Sequence, residues 1–180
     1  AAVMALVQAS REHLTPHGDY TDLVDRDLAA HGAALEQADE EPFGVFLKDE
    51  LVGTVSLIHY GNGVFGLGYW IGAAYRGRGL MTEAIAAVIR FARDSRNAVA
   101  IWAGIKPVNS ASCHLVDRLG FRLAREQDTH LSYCLDVATW RRMKDIELTA
   151  CSRTHAKRKM APLLVQRRSS GYTDSKQVIW

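Results

Sequence analysis

The sequence of 180 residues has only three cysteines and four prolines, and it has no long apolar run. An odd number of cysteines without paired ligand spacing argues against a disulfide framework or a metal site, and predicts a reduced, metal-free, cytoplasmic protein. No stretch reaches the roughly eighteen apolar residues that a membrane-spanning helix needs. The apolar start is not preceded by Lys or Arg, so it does not predict a signal peptide, and no membrane partner is expected.

What the sequence does contain is an ordinary globular composition, 48% apolar and 23% charged, which excludes disordered, collagen-like and coiled-coil proteins. The charges are unevenly distributed. Residues 1–140 hold 12 Lys and Arg against 17 Asp and Glu, whereas residues 141–180 hold 10 against 3. The second segment is therefore interpreted as a basic extension, and nucleic acid is an open alternative partner for it. Either the apolar pieces of this extension cover an open sheet edge, or the whole extension is disordered, or it is an artefact of the reading frame.

Hydrophobic periodicity predicts two N-terminal helices, over 1–14 and 21–37, followed by an antiparallel meander of three strands. Gly61-Asn62-Gly63, before the third strand, is the strongest hairpin signal, and Asp49-Glu50 is the predicted earlier turn. The predicted meander strands and the elements after them are 43–48, 51–60, 64–71, helix 80–95, strand 98–105, helix 110–119, and strands 121–126 and 130–136. This order predicts an α+β or mixed α/β domain around one sheet.

A glycine-rich loop, Arg76-Gly77-Arg78-Gly79, joins the third strand to the long helix. Backbone N–H groups at a helix start, together with the helix dipole and two arginines, favour an anion such as pyrophosphate. The alternative is a turn that only connects strand and helix. The loop differs from a P-loop because no Lys-Ser/Thr follows Gly79, and from a dinucleotide loop because Thr82 occupies the place of the third glycine.

Three motifs resemble the GCN5-related N-acetyltransferase (GNAT) family, in particular its RimJ/RimL-like branch. The loop sequence from Arg76 to Ala84 is similar to the family's acetyl-CoA pyrophosphate loop, with Met81 in place of a small residue. Asn109-Ser110-Ala111-Ser112, followed by Leu119-Gly120-Phe121, is similar to the second motif, and Gly68-Tyr69-Trp70-Ile71 is similar to the strand before the loop. The resemblance covers about residues 43–136. It implies a mostly antiparallel sheet with a splayed parallel strand pair that holds acetyl-CoA, in an N-acetyltransferase domain over 1–140 without the family's first strand.

The resemblance also implies which residues bind acetyl-CoA. The loop holds the pyrophosphate, the backbone after Tyr69 holds the pantetheine arm and offers one N–H to the oxyanion, and Asn109 bonds the arm or simply caps its helix. The implied cofactor-binding residues are Trp70, Ile71, Gly72, Arg76, Gly77, Arg78, Gly79, Leu80, Met81, Asn109 and Ser112.

Two catalytic residues are predicted on the same basis. Ser112 is the predicted acid for the departing thiolate, since Val116 stands where many relatives have Tyr; the alternative is a serine that bonds back to its helix. The branch often has Glu before the Gly-Tyr pair, which this chain lacks. His59 on the neighbouring strand is therefore the predicted base, acting through water, although a strand histidine is more often structural.

The function implied is transfer of acetyl from acetyl-CoA to a primary amine by direct attack, with a protein or peptide N-terminus as acceptor. The alternatives are a small amine such as an antibiotic or toxin, and a catalytically silent acyl-CoA-binding protein; a homodimer is also open. Acidic residues before the sheet are expected to line the acceptor site and favour a cationic amine. These residues are Asp19, Asp22, Asp25, Asp27, Asp39, Glu40 and Glu41.

Overall fold

The computed structural model describes residues 2–16, 20–25, 39–140, 163–167 and 178–179. Its helices are α1 Ala2–Ala9, α2 Arg11–Leu14, α3 Thr21–Asp25, α4 Leu80–Arg96 and α5 Ser110–Leu119. Its strands are β1 Glu40–Leu47, β2 Glu50–Gly61, β3 Val64–Ile71, β4 Ala100–Ile105, β5 Arg122–Glu126, β6 Leu131–Asp136, β7 Leu163–Arg167 and β8 Val178–Ile179. A 3-10 turn spans Ala73–Tyr75.

These strands form one sheet in the order β5-β6-β4-β3-β2-β1-β7-β8. Neighbouring strands are antiparallel except β3 and β4, which run parallel. The predicted mixed fold, a mostly antiparallel sheet with one parallel pair and flanking helices, is confirmed. No helix in the described segments is both long and apolar enough to cross a membrane.

The two hairpins of the meander follow their turn residues. Asn62 and Gly63 both have positive φ, 51° and 73°, which a two-residue turn matching the strand twist requires. The earlier turn was predicted at Asp49-Glu50, but it lies one residue before that. Leu47 pairs with Glu50, so Lys48 and Asp49 form the turn, with Lys48 at φ 55°.

The parallel pair opens towards its carboxyl end. β3 and β4 pair over three residues each, from Val64 with Ala100 to Gly66 with Trp102. Beyond Gly66, β3 stays on β2 as far as Ile71, and β4 stays on β6 as far as Ile105. Each strand thus keeps its outer partner while the inner edges separate. A gap lined by backbone groups results.

Two apolar clusters cover the two faces of the sheet. The larger lies under α4 and α5, because α4 turns a continuous face of buried residues, from Leu80 to Ala92, onto the strands. The smaller joins Trp70 of β3 to Val3, Val7, Leu14 and Val24 of the N-terminal helices. Trp70 and the neighbouring odd-numbered residues of β3 therefore point to opposite faces, as strand alternation requires.

The N-terminal helical segment is broken, whereas the sequence predicts one helix over 1–14. Ser10 separates α1 from α2 with a non-helical backbone, φ −110° and ψ 9°. Its buried hydroxyl accepts a hydrogen bond of 3.2 Å from the N–H of Ala73, a contact that a continuous helix would not make. Of the helix predicted over 21–37, Thr21–Asp25 is described and the remainder lies outside the described residues.

Part of the basic extension belongs to the sheet. β7 pairs antiparallel with β1 from Phe43–Arg167 to Leu47–Leu163, and β8 pairs with β7. These short strands contain residues of the two apolar pieces of the extension. The outer edge of β1 is therefore paired, which removes a row of exposed backbone groups. The domain boundary expected at residue 140 remains a prediction.

Candidate functional site

An open cleft of about 940 Å³ lies at the carboxyl end of β3, where the sheet opens. Its walls are the end of β3, the loop after it, the first turn of α4, and one face of α5. The N-terminal helices cover it with His13, Leu14 and Tyr20. Of the predicted site residues, all but Gly72 and His59 line this cleft.

The backbone of β3 presents alternate peptide groups to the gap. Gly72 donates its N–H to the carbonyl of Val52 at 2.8 Å, so the groups of Gly72 face β2. Those of Trp70 do the same by alternation, whereas those of Tyr69 and Ile71 face the gap. The carbonyl of Tyr69 accepts a hydrogen bond from the hydroxyl of Tyr20, which agrees with this assignment. Ile71 is thus the predicted residue whose N–H faces the gap, and Gly72 is not.

The glycine loop leaves space and donors for an anion. Gly77 and Gly79 have φ of 67° and 80°, conformations that other residues adopt with strain, and no atom lies within 4 Å of where their side chains would begin. Gly79 is the N-cap of the 17-residue α4, and it provides no side-chain cap for the first N–H groups. Those groups and the positive end of the helix dipole remain available to a ligand.

Arginine side chains surround this cradle on two sides. Arg76 and Arg78 come from the loop, and Arg118 comes from α5 across the cleft. Within the described residues, no carboxylate forms an ion pair with any of the three. The first turn of α4 adds one acid, Glu83, which lines the same cleft. The balance of charge around the loop is positive, which suits a diphosphate.

The face of α5 that lines the cleft begins at its N-cap. Asn109 accepts the N–H of Ser112 at 3.2 Å through its side-chain oxygen, so the predicted cap is present. Ser112, His114, Leu115 and Arg118 follow on the cleft wall. Val116 points away and is fully buried in the core, so it takes no part in the cleft. Ser112 is thus the hydroxyl that α5 brings to the cleft.

Cys113, on the other side of α5, packs against the large cluster, as predicted. It is hydrogen-bonded to Tyr133 of β6. Burial, and after it this hydrogen bond, raises the pKa of Tyr133 to about 12. Tyr133 therefore holds its proton strongly, and it is not among the residues of the cleft.

The structure does not bring His59 to the cleft. His59 pairs with Phe65 near the hairpin, six residues from Ile71, roughly 20 Å away along the strand at about 3.3 Å per residue. Its Nε2 lies 3.5 Å from Glu41, and its ring contacts Phe65 edge-on. Glu41 is buried and receives two hydrogen bonds from Arg96, of 2.8 and 2.9 Å. The contacts of His59 are those of a structural histidine.

The acidic residues expected at the acceptor site are also elsewhere. Asp25 pairs with Arg11 on the surface, and Glu41 pairs with Arg96 at the hairpin end. The other described members of the group, Asp22, Asp39 and Glu40, are not in the cleft wall either. Asp19 and Asp27 lie outside the described residues. The described part of the chain supplies no acidic wall there from this group, because these carboxylates form ion pairs or lie away from the cleft.

Sequence reasoning missed several cleft residues. His114 and Arg118 could have been found by their helical spacing from Ala111, since positions three or four apart share one face. Tyr75 also lines the cleft, and its hydroxyl donates to Glu50 at 2.6 Å, a bond that raises its pKa. His13 and Tyr20 carried no local signal, because only packing brings the N-terminal helices over β3.

The fold and the cleft together define a protein that can hold a long ligand with an amide-containing arm and an anionic end. Comparison with known proteins agrees with this class. The acetyltransferase (GNAT) domain model matches residues 2–122. The chain belongs to the GNAT acetyltransferase family, whose members take an acetyl group from acetyl-CoA. The family resemblance and its RimJ/RimL-like character are confirmed.

Two curated relatives and one solved structure show the range of similarity. The chain is 36% identical over 92 residues to the "Probable N-acetyltransferase YjcK" of Bacillus subtilis, covering 48% of this chain and 51% of that protein. It is 35% identical over 104 residues to the [ribosomal protein uS5]-alanine N-acetyltransferase of Escherichia coli, covering 55% and 52%. The chain spans about half the length of these relatives.

The ribosomal-protein-S5-alanine acetyltransferase structure from Vibrio fischeri superimposes with a TM-score of 0.62, over 77% of this chain and 88% of that one. At 19% identity, this likeness shows the shared fold.

Proposed function

We propose that the protein transfers the acetyl group of acetyl-CoA to a primary amine, and that this amine is the N-terminus of a protein or peptide. The observation that carries the proposal is the cleft where the β3–β4 gap meets the glycine loop. The relative named [ribosomal protein uS5]-alanine N-acetyltransferase supports a protein or peptide acceptor.

The residues present fit acetyl-CoA. Arg76, Arg78 and the first N–H groups of α4 would hold the diphosphate, because they form an uncapped cationic cradle with open space at the glycines. The gap-facing peptide groups of Tyr69 and Ile71 would hold the amide-containing arm, with Asn109, the N-cap of α5, in the same cleft. When bound, the cosubstrate supplies an activated acetyl group as a thioester.

The chain's own residues then have three tasks. The N–H of Ile71 would donate to the carbonyl oxygen of the acetyl group, which would lower the barrier as charge develops there. Ser112 would donate a proton to the departing sulfur. The cleft walls would orient the amine for direct attack, so that no covalent link to the protein is needed.

No positive charge on the acceptor is required by the described cleft. Its cations are grouped around the diphosphate cradle, and its cover is formed by His13, Leu14 and Tyr20. The relative named for alanine N-acetylation favours an acceptor with a small, uncharged first side chain. The cationic amine expected from the sequence stays a prediction, which the spermidine arm of the same experiment tests. The homodimer, the cytoplasmic location and the absence of a metal requirement also stay predictions.

The test is acetyl transfer by the purified chain, followed by release of free thiol and by mass spectrometry of the acceptor. The acceptor set contains hexapeptides beginning with Ala or Ser, the same peptides with a blocked N-terminus, and spermidine. Thiol release with the free peptides, and an acetyl group on their first residue, supports the proposal. Transfer to spermidine alone favours the small-amine alternative. Binding of CoA without transfer to any acceptor favours a silent acyl-CoA-binding protein.

A further inference from the structure

The N-terminal helices are fastened to the end of β3 by a series of contacts in register. Leu6 lies so close to Gly72 that a β-carbon built on Gly72 would be 2.8 Å from the Cδ1 atom of Leu6. Ser10 accepts from the N–H of Ala73, and Leu14 packs with Trp70. Tyr20 donates to the carbonyl of Tyr69. The segment that covers the cleft is therefore held over the residues whose peptide groups face the gap.

His13 lies between two of these anchors. Its N–H bonds to the carbonyl of Ser10 at 2.9 Å, and Leu14 follows it directly. Its half-buried side chain lines the cleft together with Leu14 and Tyr20. The imidazole thus belongs to the cleft wall that the N-terminal helices form.

The other cleft residues are poorer proton acceptors for an amine. Glu83 and His114 lie on α4 and α5, among the arginines of the diphosphate cradle. The hydroxyl of Tyr75 donates to Glu50 and so keeps its proton. Imidazole accepts protons near neutral pH, which is where an amine must be deprotonated to attack.

The charges near His13 are few among the described residues. α1 carries none, and on α2 and α3 Arg11 is paired with Asp25. Glu12 and Asp22 are exposed, and β3 contributes Tyr69.

We propose that His13 is the general base of the acetyl transfer, an inference that rests on the proposed function. A nitrogen of His13 takes one proton from the ammonium of the acceptor and passes it to water. The freed lone pair of the amine nitrogen forms the C–N bond as the C–S bond breaks. The electron pair of the C–S bond leaves on sulfur. Ser112 gives its proton to the sulfur and regains one from the acetylated nitrogen. The products are the amide, free CoA and one proton.

The test compares His13→Gln with His59→Gln, a matched change in a histidine at the other end of the sheet. We expect His13→Gln to lower kcat on the order of a hundredfold at pH 7 with CoA affinity unchanged. In the wild type, kcat/KM should rise with pH as one group loses its proton, and this limb should be lost in His13→Gln. His59→Gln should keep both the rate and the limb.

A structural role for His13 would give a different result. Added imidazole should restore part of the activity of His13→Ala, which it cannot do where only packing is lost. Thermal melting of each variant separates unfolding from loss of the base. A His13→Gln enzyme with the wild-type rate and pH profile, or a His13→Ala enzyme that imidazole does not restore, overturns the assignment and leaves the proposed function standing. A wild-type chain that acetylates no acceptor overturns both.

Discussion

The two ends of the central strands use similar residues for opposite purposes. At the hairpin end, Glu41, His59 and Arg96 lie together, and the charges compensate one another inside the protein. At the carboxyl end of β3, Arg76 and Arg78 stand beside open space, with no carboxylate paired to them among the described residues. The difference teaches that residue type does not mark the site. Incomplete pairing does, because unused donors and charges remain available for a ligand.

The largest effect is expected at the hairpin end, where the charges of Glu41 and Arg96 are paired. Arg96→Met leaves Glu41 buried without its two hydrogen bonds, and should lower the free energy of unfolding by about 3 kcal/mol, the lower part of the range for broken buried pairs. Methionine keeps the aliphatic packing beside Phe91. Urea denaturation measures the loss. Arg93→Met, one turn earlier, breaks the surface pair with Asp94 and should cost about 1 kcal/mol or less. Equal losses in the two variants would contradict the comparison.

At the carboxyl end of β3, Gly79→Asp should weaken CoA binding on the order of a hundredfold, since it puts a negative charge close to the diphosphate. Calorimetry with CoA measures the change. Gly61→Asp is the matched control: its φ of 86° is also positive and its surroundings are also empty, but it lies in the hairpin. The backbone strain is thus similar in both. Unchanged CoA affinity in Gly79→Asp would show that the diphosphate binds elsewhere.

Ser112→Ala separates CoA binding from acetyl transfer within the cleft. We expect kcat to fall on the order of a hundredfold while CoA affinity stays nearly intact, because the hydroxyl acts on the leaving sulfur. Steady-state kinetics and calorimetry give the two values. Ser110→Ala, at the exposed start of the same helix, should keep full turnover. Full turnover in Ser112→Ala would return this serine to a structural role.

The smallest effect is expected from a single exposed charge. Arg118→Gln should weaken CoA binding about fivefold, roughly 1 kcal/mol, and make it less sensitive to salt, because screened attraction to the diphosphate is lost. Arg122→Gln removes the same charge from β5, outside the cleft, and should leave both properties unchanged. If the salt dependence of CoA binding were the same in the wild type and in both variants, Arg118 would not contribute to binding the diphosphate.

Local signals in the sequence accounted for the elements that end on special residues. Asn62-Gly63 specified the hairpin through positive φ, and Asn109 and Gly120 bounded α5 as its caps. The loop from Arg76 to Met81 was recognised because its glycines and arginines are contiguous. The boundary at Lys48 and the break at Ser10 were missed. The first is set by strand register, and the second by a hydrogen bond to a residue 63 positions away.

The sequence by itself determined the family, the order of helices and strands, and the glycine loop with Arg76 and Arg78, because the motifs and periodicities that indicate them lie in residues close together in the chain. Only the tertiary structure decided which of the two histidines His13 and His59 lines the cleft. His59 lies in a strand pattern and His13 follows Arg11-Glu12, and neither local sequence indicates which histidine lies in the cleft. Packing did: the register of β2 carries His59 to Glu41, while Ser10, Leu14 and Tyr20 carry His13 to the gap. Contacts between distant segments are set by the free energy of the whole fold, which no local pattern records.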